Sequence, residues 1–220
     1  MDALECITTR KSIRRFKPDP LPREVLMEVI DIAKWSPSYK NSQPWEAVIC
    51  SGAKKEALST MLLELLAKDA RPSPDVPAPQ SWPPPEAARI EDHFQHRRAS
   101  IGVDLGDPDH IKKAKKENYQ FYGAPHVIYL FQDTVLSPWS LFDLGLFAQN
   151  LMLAAHAKGL GTVPQAFATD YAHEIKRFLA IPDTKRLILG MPIGYPDTGS
   201  PEYQFRSNRA ETDALVHWIE

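Results

Sequence analysis

Apolar residues recur along the chain at helical spacing in some stretches and as unbroken runs in others. Asp2 to Thr9 reads as a short helix with Leu4, Cys6 and Ile7 as its apolar residues. Pro22 to Trp35 is predicted to be an amphipathic helix: Val25, Val29 and Ile32 share one face, Pro22 suits a first helical position, and Pro37 stops it. Glu46 to Ser51 is a short apolar strand, and Ala53 to Ala67 a further helix. Glu86 to Arg98 and Asp109 to Tyr122 read as highly charged helices. His126 to Gln132 is a continuous apolar run of the kind that forms a buried strand. Ser140 to Lys158 is apolar on every side, which predicts a helix fully buried in a core or between subunits; Asp143, Gln149, Asn150 and His156 interrupt it and argue against a membrane span. Tyr171 to Ala180 is a helix and Arg186 to Tyr195 a buried strand, after which an extended tail from Pro196 leads to a short helix ending Leu-Val-His-Trp-Ile-Glu. Helices surround a few strands without regular β-α alternation, so the expected class is α+β.

Composition narrows the function classes. The 220 residues suit one large domain or two small ones, and 43% hydrophobic with 25% charged residues describe an ordinary globular chain. A net charge of -2 gives no global attraction to nucleic acid or an anionic membrane. No apolar run reaches the roughly 18 residues of a membrane span, and the first residues lack the apolar core of a secretory signal. Cys6 and Cys50 stand in unrelated contexts, which fits reduced thiols and a cytoplasmic protein, and no zinc-ligand spacing is present. The unusual count is 20 prolines, seven of them between Arg71 and Pro85. That segment cannot be helix interior or central strand. It is either a disordered linker or part of a long lid, and Trp82 within it favours the lid.

Four segments carry candidate chemistry. Arg10, Ser12 and Arg14 alternate, so in an extended segment two guanidinium groups and a hydroxyl converge on one side while Ile13 packs on the other. Such a grouping suits a phosphomonoester; it equally describes a solvated basic turn or a nucleic-acid patch. From Ser36 to Trp45, Pro37 and Pro44 bracket a run of donors and acceptors able to read the edge of a planar heterocycle, or simply a polar loop beside a core tryptophan. Gly159 to Ala166 follows the apolar helix and allows backbone to approach a ligand, but Pro164 stands where a dinucleotide fingerprint needs its third glycine. Phe205 to Arg209 is a second basic cluster at the far end of the chain.

Taken in order, the blocks R-K-S-I-R-R-F, P-S-Y-K-N-S-Q-P-W, A-K-G-L-G-T-V-P-Q, G-M-P-I-G-Y-P and F-R-S-N-R-A resemble the FMN-dependent nitroreductase family over nearly the whole chain. The N-Y-Q-F-Y-G-A-P stretch and the W-P-P-P segment resemble its nitrobenzoate-reductase branch. The resemblance implies a single FMN-binding domain, 1–220, with 69–122 as a lid and 196–220 as a tail wrapping the partner of an entwined homodimer. It implies a mostly antiparallel sheet packed by helices. It assigns Arg10, Lys11, Ser12 and Arg209, with Arg206, to the FMN phosphate, and Arg14 to the flavin edge that becomes negative on reduction. Pro37, Ser38, Tyr39, Asn41 and Gln43 would come from the partner, and Pro164, Gln165 and Ala166 would present backbone groups, including an N–H, to the flavin. Asn118 is a candidate for the pyrimidine ring. NADH or NADPH would bind transiently, and a nitroaromatic, quinone or similar planar acceptor would then take its place in a ping-pong cycle; an FMN enzyme with another acceptor, or a flavin-binding protein without turnover, fits the same residues. The flavin carries the chemistry, so no catalytic side chain and no metal is called for. Candidate acceptor contacts are Tyr39, Trp82, Arg97, Arg98, Phe121 and Tyr122, with solvation of a helix face as the competing account of the two arginines.

Overall fold

The computed structural model describes residues 1–104 and 106–220; Leu105, inside the 69–122 segment, lies outside the described residues. The fold is organised by the unbroken apolar run read at His126. It forms β2 (His126–Asp133), at the centre of a four-stranded antiparallel sheet with β1 (Glu46–Ser51), β4 (Lys185–Gly194) and β3 (Gly161–Thr162) in the order β1-β2-β4-β3. Alternate residues of a strand face opposite ways, and both faces of β2 are buried. Val127, Tyr129 and Phe131 pack with Leu58, Leu62, Tyr119 and Ile175, which lie on α3 (Gly52–Ala67), α5 (Pro108–Tyr119) and α7 (Ala172–Leu179). Ile128 and Leu130 pack with Leu26, Val29, Leu144, Phe147 and Leu151 of α2 (Arg23–Ala33) and α6 (Pro138–Ala157). A short α1 (Ala3–Thr9), capped by the Asp2 carboxylate accepting from the Glu5 N–H at 2.8 Å, precedes the basic segment.

The α+β class holds, and one reading of the pattern is corrected. Of the two burials expected for α6, a core within one subunit does not account for the whole helix: Trp139 is 64% and Phe142 61% exposed. Two of the residues that interrupt it are structural ties. Buried Asp143 accepts from the Tyr39 N–H at 3.1 Å, and Asn150 donates to Ser36 Oγ at 2.8 Å, so α6 fastens the Ser36–Trp45 loop. The tail does not end in a helix. After α8 (Pro201–Gln204) it forms one tight turn at Thr212–Ala214, and residues 215–220 have no regular structure. Leu215, Val216, Trp218 and Ile219 are exposed, and a segment that short is not helical without a surface to bury against.

The proline segment is not a free linker. Ser73 N–H donates to the Asp170 carbonyl at 2.6 Å, and Asp75 pairs with buried Lys176 at 3.0 Å while accepting from the Leu187 N–H at 2.8 Å. The far end of the same excursion is tied to the same residue, Tyr119 donating to the Asp170 carboxylate at 2.6 Å. Between these ties run α4 (Pro84–Ile101), entered through prolines in its first turn and ended by left-handed Gly102, and α5.

Two close approaches fix the segments that matter for the site. Gln165 and Gly190 exchange backbone hydrogen bonds, which lays Pro164–Ala166 on the sheet. Ser12 bridges Thr162, and Ile13 N–H donates to Thr162 at 3.0 Å, drawing the amino-terminal basic segment alongside. That contact requires Gly161, where a Cβ would lie 2.7 Å from Ile13 Cγ1. Gly161→Ala is expected to destabilise the fold by roughly 1–3 kcal/mol through overpacking, read as a lower denaturant midpoint with an unchanged slope.

Candidate active site

Two adjoining recesses hold most of the residues singled out in the sequence. The first, about 40 Å³, is lined by Arg10, Lys11, Ser12 and Arg14 from the amino-terminal segment and by Phe205, Arg206, Ser207 and Arg209 from the tail. The two basic clusters, almost 200 positions apart, therefore meet. The meeting has an electrostatic signature: burial and then Arg209 lower the Arg10 pKa, and burial and then Arg206 lower that of Lys11. The Lys11 ammonium donates to the Tyr203 carbonyl and lies 3.7 Å from the Tyr203 ring centroid. No carboxylate pairs with Arg10, Lys11, Arg206 or Arg209 among the described residues. A concave patch of guanidinium groups without counter-charge is an anion receptor.

The second recess, about 390 Å³, opens beside the first, and Arg14 lines both. Its floor is Val163, Pro164, Gln165 and Ala166; its walls are stripes of α4 (His93, Arg97, Ile101) and α5 (His110, Lys113, Ala114, Glu117, Asn118), with Tyr122 and Glu202. Within the floor, Pro164 has no N–H and the Gln165 N–H goes to Gly190 at 2.8 Å, which leaves the Ala166 N–H as the backbone donor this segment can offer. Gln165 donates through Nε2 to Asn118 Oδ1 at 2.9 Å, and Asn118 donates to Ala114 at 2.8 Å. Gln165 Oε1 is buried with no partner among the described residues, an acceptor that awaits a donor.

The candidate acceptor contacts divide. Tyr122 and Arg97 line the larger recess. Phe121 does not: it is fully buried, edge-on to Tyr129 at 6.4 Å, because both residues of the Phe121–Tyr122 turn have positive φ and send consecutive rings to opposite destinations. Arg98 lines a separate depression with Phe94 and pairs with Asp104 at 3.2 Å, being one residue, and so about 100° of helix, away from Arg97. Trp82 precedes α4, is half exposed and is no part of the recess lining. Pro37, Ser38, Tyr39, Asn41 and Gln43 are also absent from the lining of this chain's two recesses. Their loop projects beside exposed Trp139, on which Tyr39 stacks at 6.3 Å, and is held in shape by positive φ at Lys40, Asn41 and Gln43. His93, His110, Lys113 and Glu202 were not anticipated as lining. The signal was present, since His93, Arg97 and Ile101 recur every four residues and His110, Lys113, Ala114, Glu117 and Asn118 follow the spacing of one helical face.

Residues 7–195 match the profile of the Nitroreductase family. The chain belongs to the nitroreductase family. It is 33% identical over 218 residues to a 4-nitrobenzoate reductase of Pseudomonas putida, covering 97% of this chain and 93% of that relative. Its fold superposes with TM-score 0.93, at 29% identity, on the crystal structure of the FMN-dependent nitroreductase NfnB from Mycobacterium smegmatis in complex with NADPH, covering 99% and 98% of the two chains. The FMN and NADPH-dependent nitroreductase NfnB of a Sphigopyxis strain gives 0.94 at 26% identity over the full length of both. The nitroreductase fold implied by the sequence blocks is thereby established for this chain, and no helix of the described residues is long and apolar enough to cross a membrane.

Proposed function

We propose that this nitroreductase-family protein binds FMN across the two recesses and uses NADH or NADPH to reduce nitroaromatic or similarly electron-poor planar compounds. The observation that carries the reading is Arg14, which lines both the unneutralised basic cradle and the recess floored by Pro164–Ala166. FMN has a phosphate for the cradle and a planar heterocycle for the recess. Arg10, Lys11, Ser12, Arg206 and Arg209 would hold the phosphate. The orphaned Gln165 Oε1 fits an N–H of the heterocycle's pyrimidine ring, and the Ala166 N–H supplies a donor at the floor.

Bound there, the flavin would supply the hydride-transfer chemistry between nicotinamide and acceptor. The chain contributes binding, orientation and field. A fixed guanidinium at Arg14 stabilises negative charge that builds up beside it, and it needs no proton to do so. The α4 and α5 walls replace part of the water around the recess with protein, which strengthens that field.

The active unit is a homodimer in this reading. Trp139, Phe142 and Tyr39 form an exposed aromatic face on α6 and its attached loop, of the kind a partner subunit covers. A second copy docked there would carry its Pro37–Gln43 loop toward this chain's recess, and the apolar residues 215–219 would find their surface on the partner. Two unpaired, buried thiols fit a cytoplasmic setting.

Arg10→Ala and Arg209→Ala are each expected to weaken FMN binding by roughly 1.5–3 kcal/mol, about ten- to hundredfold in the dissociation constant measured by titration of apoprotein; wild-type affinity in both would remove the cradle from the phosphate site. Deleting Leu215–Glu220, which leaves Arg206 and Arg209 in place, is expected to shift the dimer toward monomer in light scattering, and a truncated protein as dimeric as the full chain would refute the wrapping tail.

A further inference from the structure

We propose that Arg97 is the acceptor-specificity residue of this cavity and that it binds the carboxylate of an anionic nitroaromatic. The inference rests on the redox reading above, but its evidence is separate. Arg97 is 7% exposed, yet among the described residues it has no ion-pair partner, and its Nε has no hydrogen-bond partner. Buried arginines are ordinarily paired, because stripping water from a guanidinium costs several kcal/mol. The Phe205 ring, 5.2 Å away, offers a cation–π contact and no counter-charge.

The carboxylates of the recess, Glu117 and Glu202, favour the charged Arg97 through space but make no ion pair with it, and burial and Arg14 outweigh them. Both instead bond to Arg15, at 3.2 and 3.4 Å. Arg15 is not part of the lining, so the remaining charges, Arg14, Arg97 and Lys113, are cationic and without acidic partners in it. His93 adds no lasting positive charge, since burial and then Arg97 push it toward the neutral form. An occupant with a negative group is therefore favoured.

Position decides which negative group. Arg14 borders the phosphate cradle, whereas Arg97 stands on the α4 wall with Ile101, and Val103 and Tyr122 line the same recess. Ile101, Val103 and Tyr122 beside a buried, unpaired guanidinium match a flat ring that carries a carboxylate, which the fork can grip with two parallel hydrogen bonds. Arg98, exposed over 71% of its side chain and paired with Asp104, has no such role and serves as the control.

The test separates the two half-reactions. FMN-loaded enzyme is reduced anaerobically with dithionite, so that no nicotinamide takes part, and mixed with 4-nitrobenzoate or with neutral 4-nitrobenzamide. The wild-type ratio of second-order rates is compared with that of Arg97→Gln, Arg97→Lys and Arg98→Gln; intrinsic reactivity differences between the two acceptors cancel in this comparison. The ratio is expected to fall at least tenfold in Arg97→Gln, through loss of the 4-nitrobenzoate rate, to recover partly in Arg97→Lys, and to stay at the wild-type value in Arg98→Gln. Benzoate titrated into the oxidised enzyme, followed through the flavin spectrum, is expected to bind at least tenfold more weakly in Arg97→Gln, with benzamide unaffected. Unchanged ratio and benzoate affinity in an Arg97→Gln enzyme with full FMN content would overturn the proposal. So would a loss confined to reduction by NADPH, which would give Arg97 to a nucleotide phosphate. If Arg97→Gln cannot be isolated with FMN, Arg97→Lys decides: a wild-type ratio there, from a point charge lacking the fork, overturns the bidentate grip. Wild-type enzyme that retains no FMN or oxidises no NAD(P)H would fail the redox reading; wild-type turnover with no benzoate binding would fail the Arg97 inference alone.

Discussion

Positive charge that the chain does not neutralise is the constraint on which the site depends. Arg10 and Lys11 from one end meet Arg206 and Arg209 from the other, and burial makes their mutual repulsion felt. The protein holds them together by other means. Gly161 admits Ile13 to the sheet edge, and Phe205 is buried against His93, His96 and Arg97 of α4, which pins the tail just before its arginines. An anion that fills the cradle relieves the repulsion, so its binding adds to the stability of the closed arrangement in proportion to RT ln(1 + [L]/Kd). Folding and cofactor retention are thereby linked through one electrostatic gap.

The sheet and α6 set everything else in position. Because β2 is apolar on both faces, one strand carries two cores, and the layer containing α5 and α7 is separated from the layer containing α2 and α6. The recess and cradle draw on the first layer and the sheet edge. The outward loop Ser36–Trp45 belongs to the second, fixed by Asp143 and Asn150 of α6 and by Trp45 stacked on Phe147 at 4.9 Å. Three non-glycine residues at positive φ in that loop cost roughly 1–3 kcal/mol each and persist only because these ties over-determine it.

Much of this was legible in the sequence. Strong periodicities marked the helices and the buried strands, and alternation at Arg10, Ser12 and Arg14 announced a convergent face. What was less legible depends on partners distant in the chain. Two-residue β3 is too short for any period to register, and it exists because Ser12 and β4 flank it. The end of the tail read as a short helix, but a helix there needs a surface this subunit does not provide. Arg97 and Arg98 are indistinguishable as letters; only the rotation of α4 makes one a dry wall residue and the other a solvated partner of Asp104. Counting fours along the charged helices groups His93 with Arg97 and Ile101, and Lys113 with Glu117, but does not say which stripe faces inward.

The ties at Asp170 have a consequence for how such a protein diversifies. Ser73 and Tyr119 both bond to this one residue, so the excursion between them begins and ends at nearly the same point on the body. A loop closed at its neck leaves the sheet indifferent to its length, since each doubling of a flexible loop adds only about 0.6 kcal/mol of closure cost. The α4–α5 hairpin is in this sense a cassette. It supplies most of the walls of the larger recess and none of its floor, so on the function proposed above a lineage could exchange its menu of substrates by rewriting that cassette while the floor beneath is inherited intact.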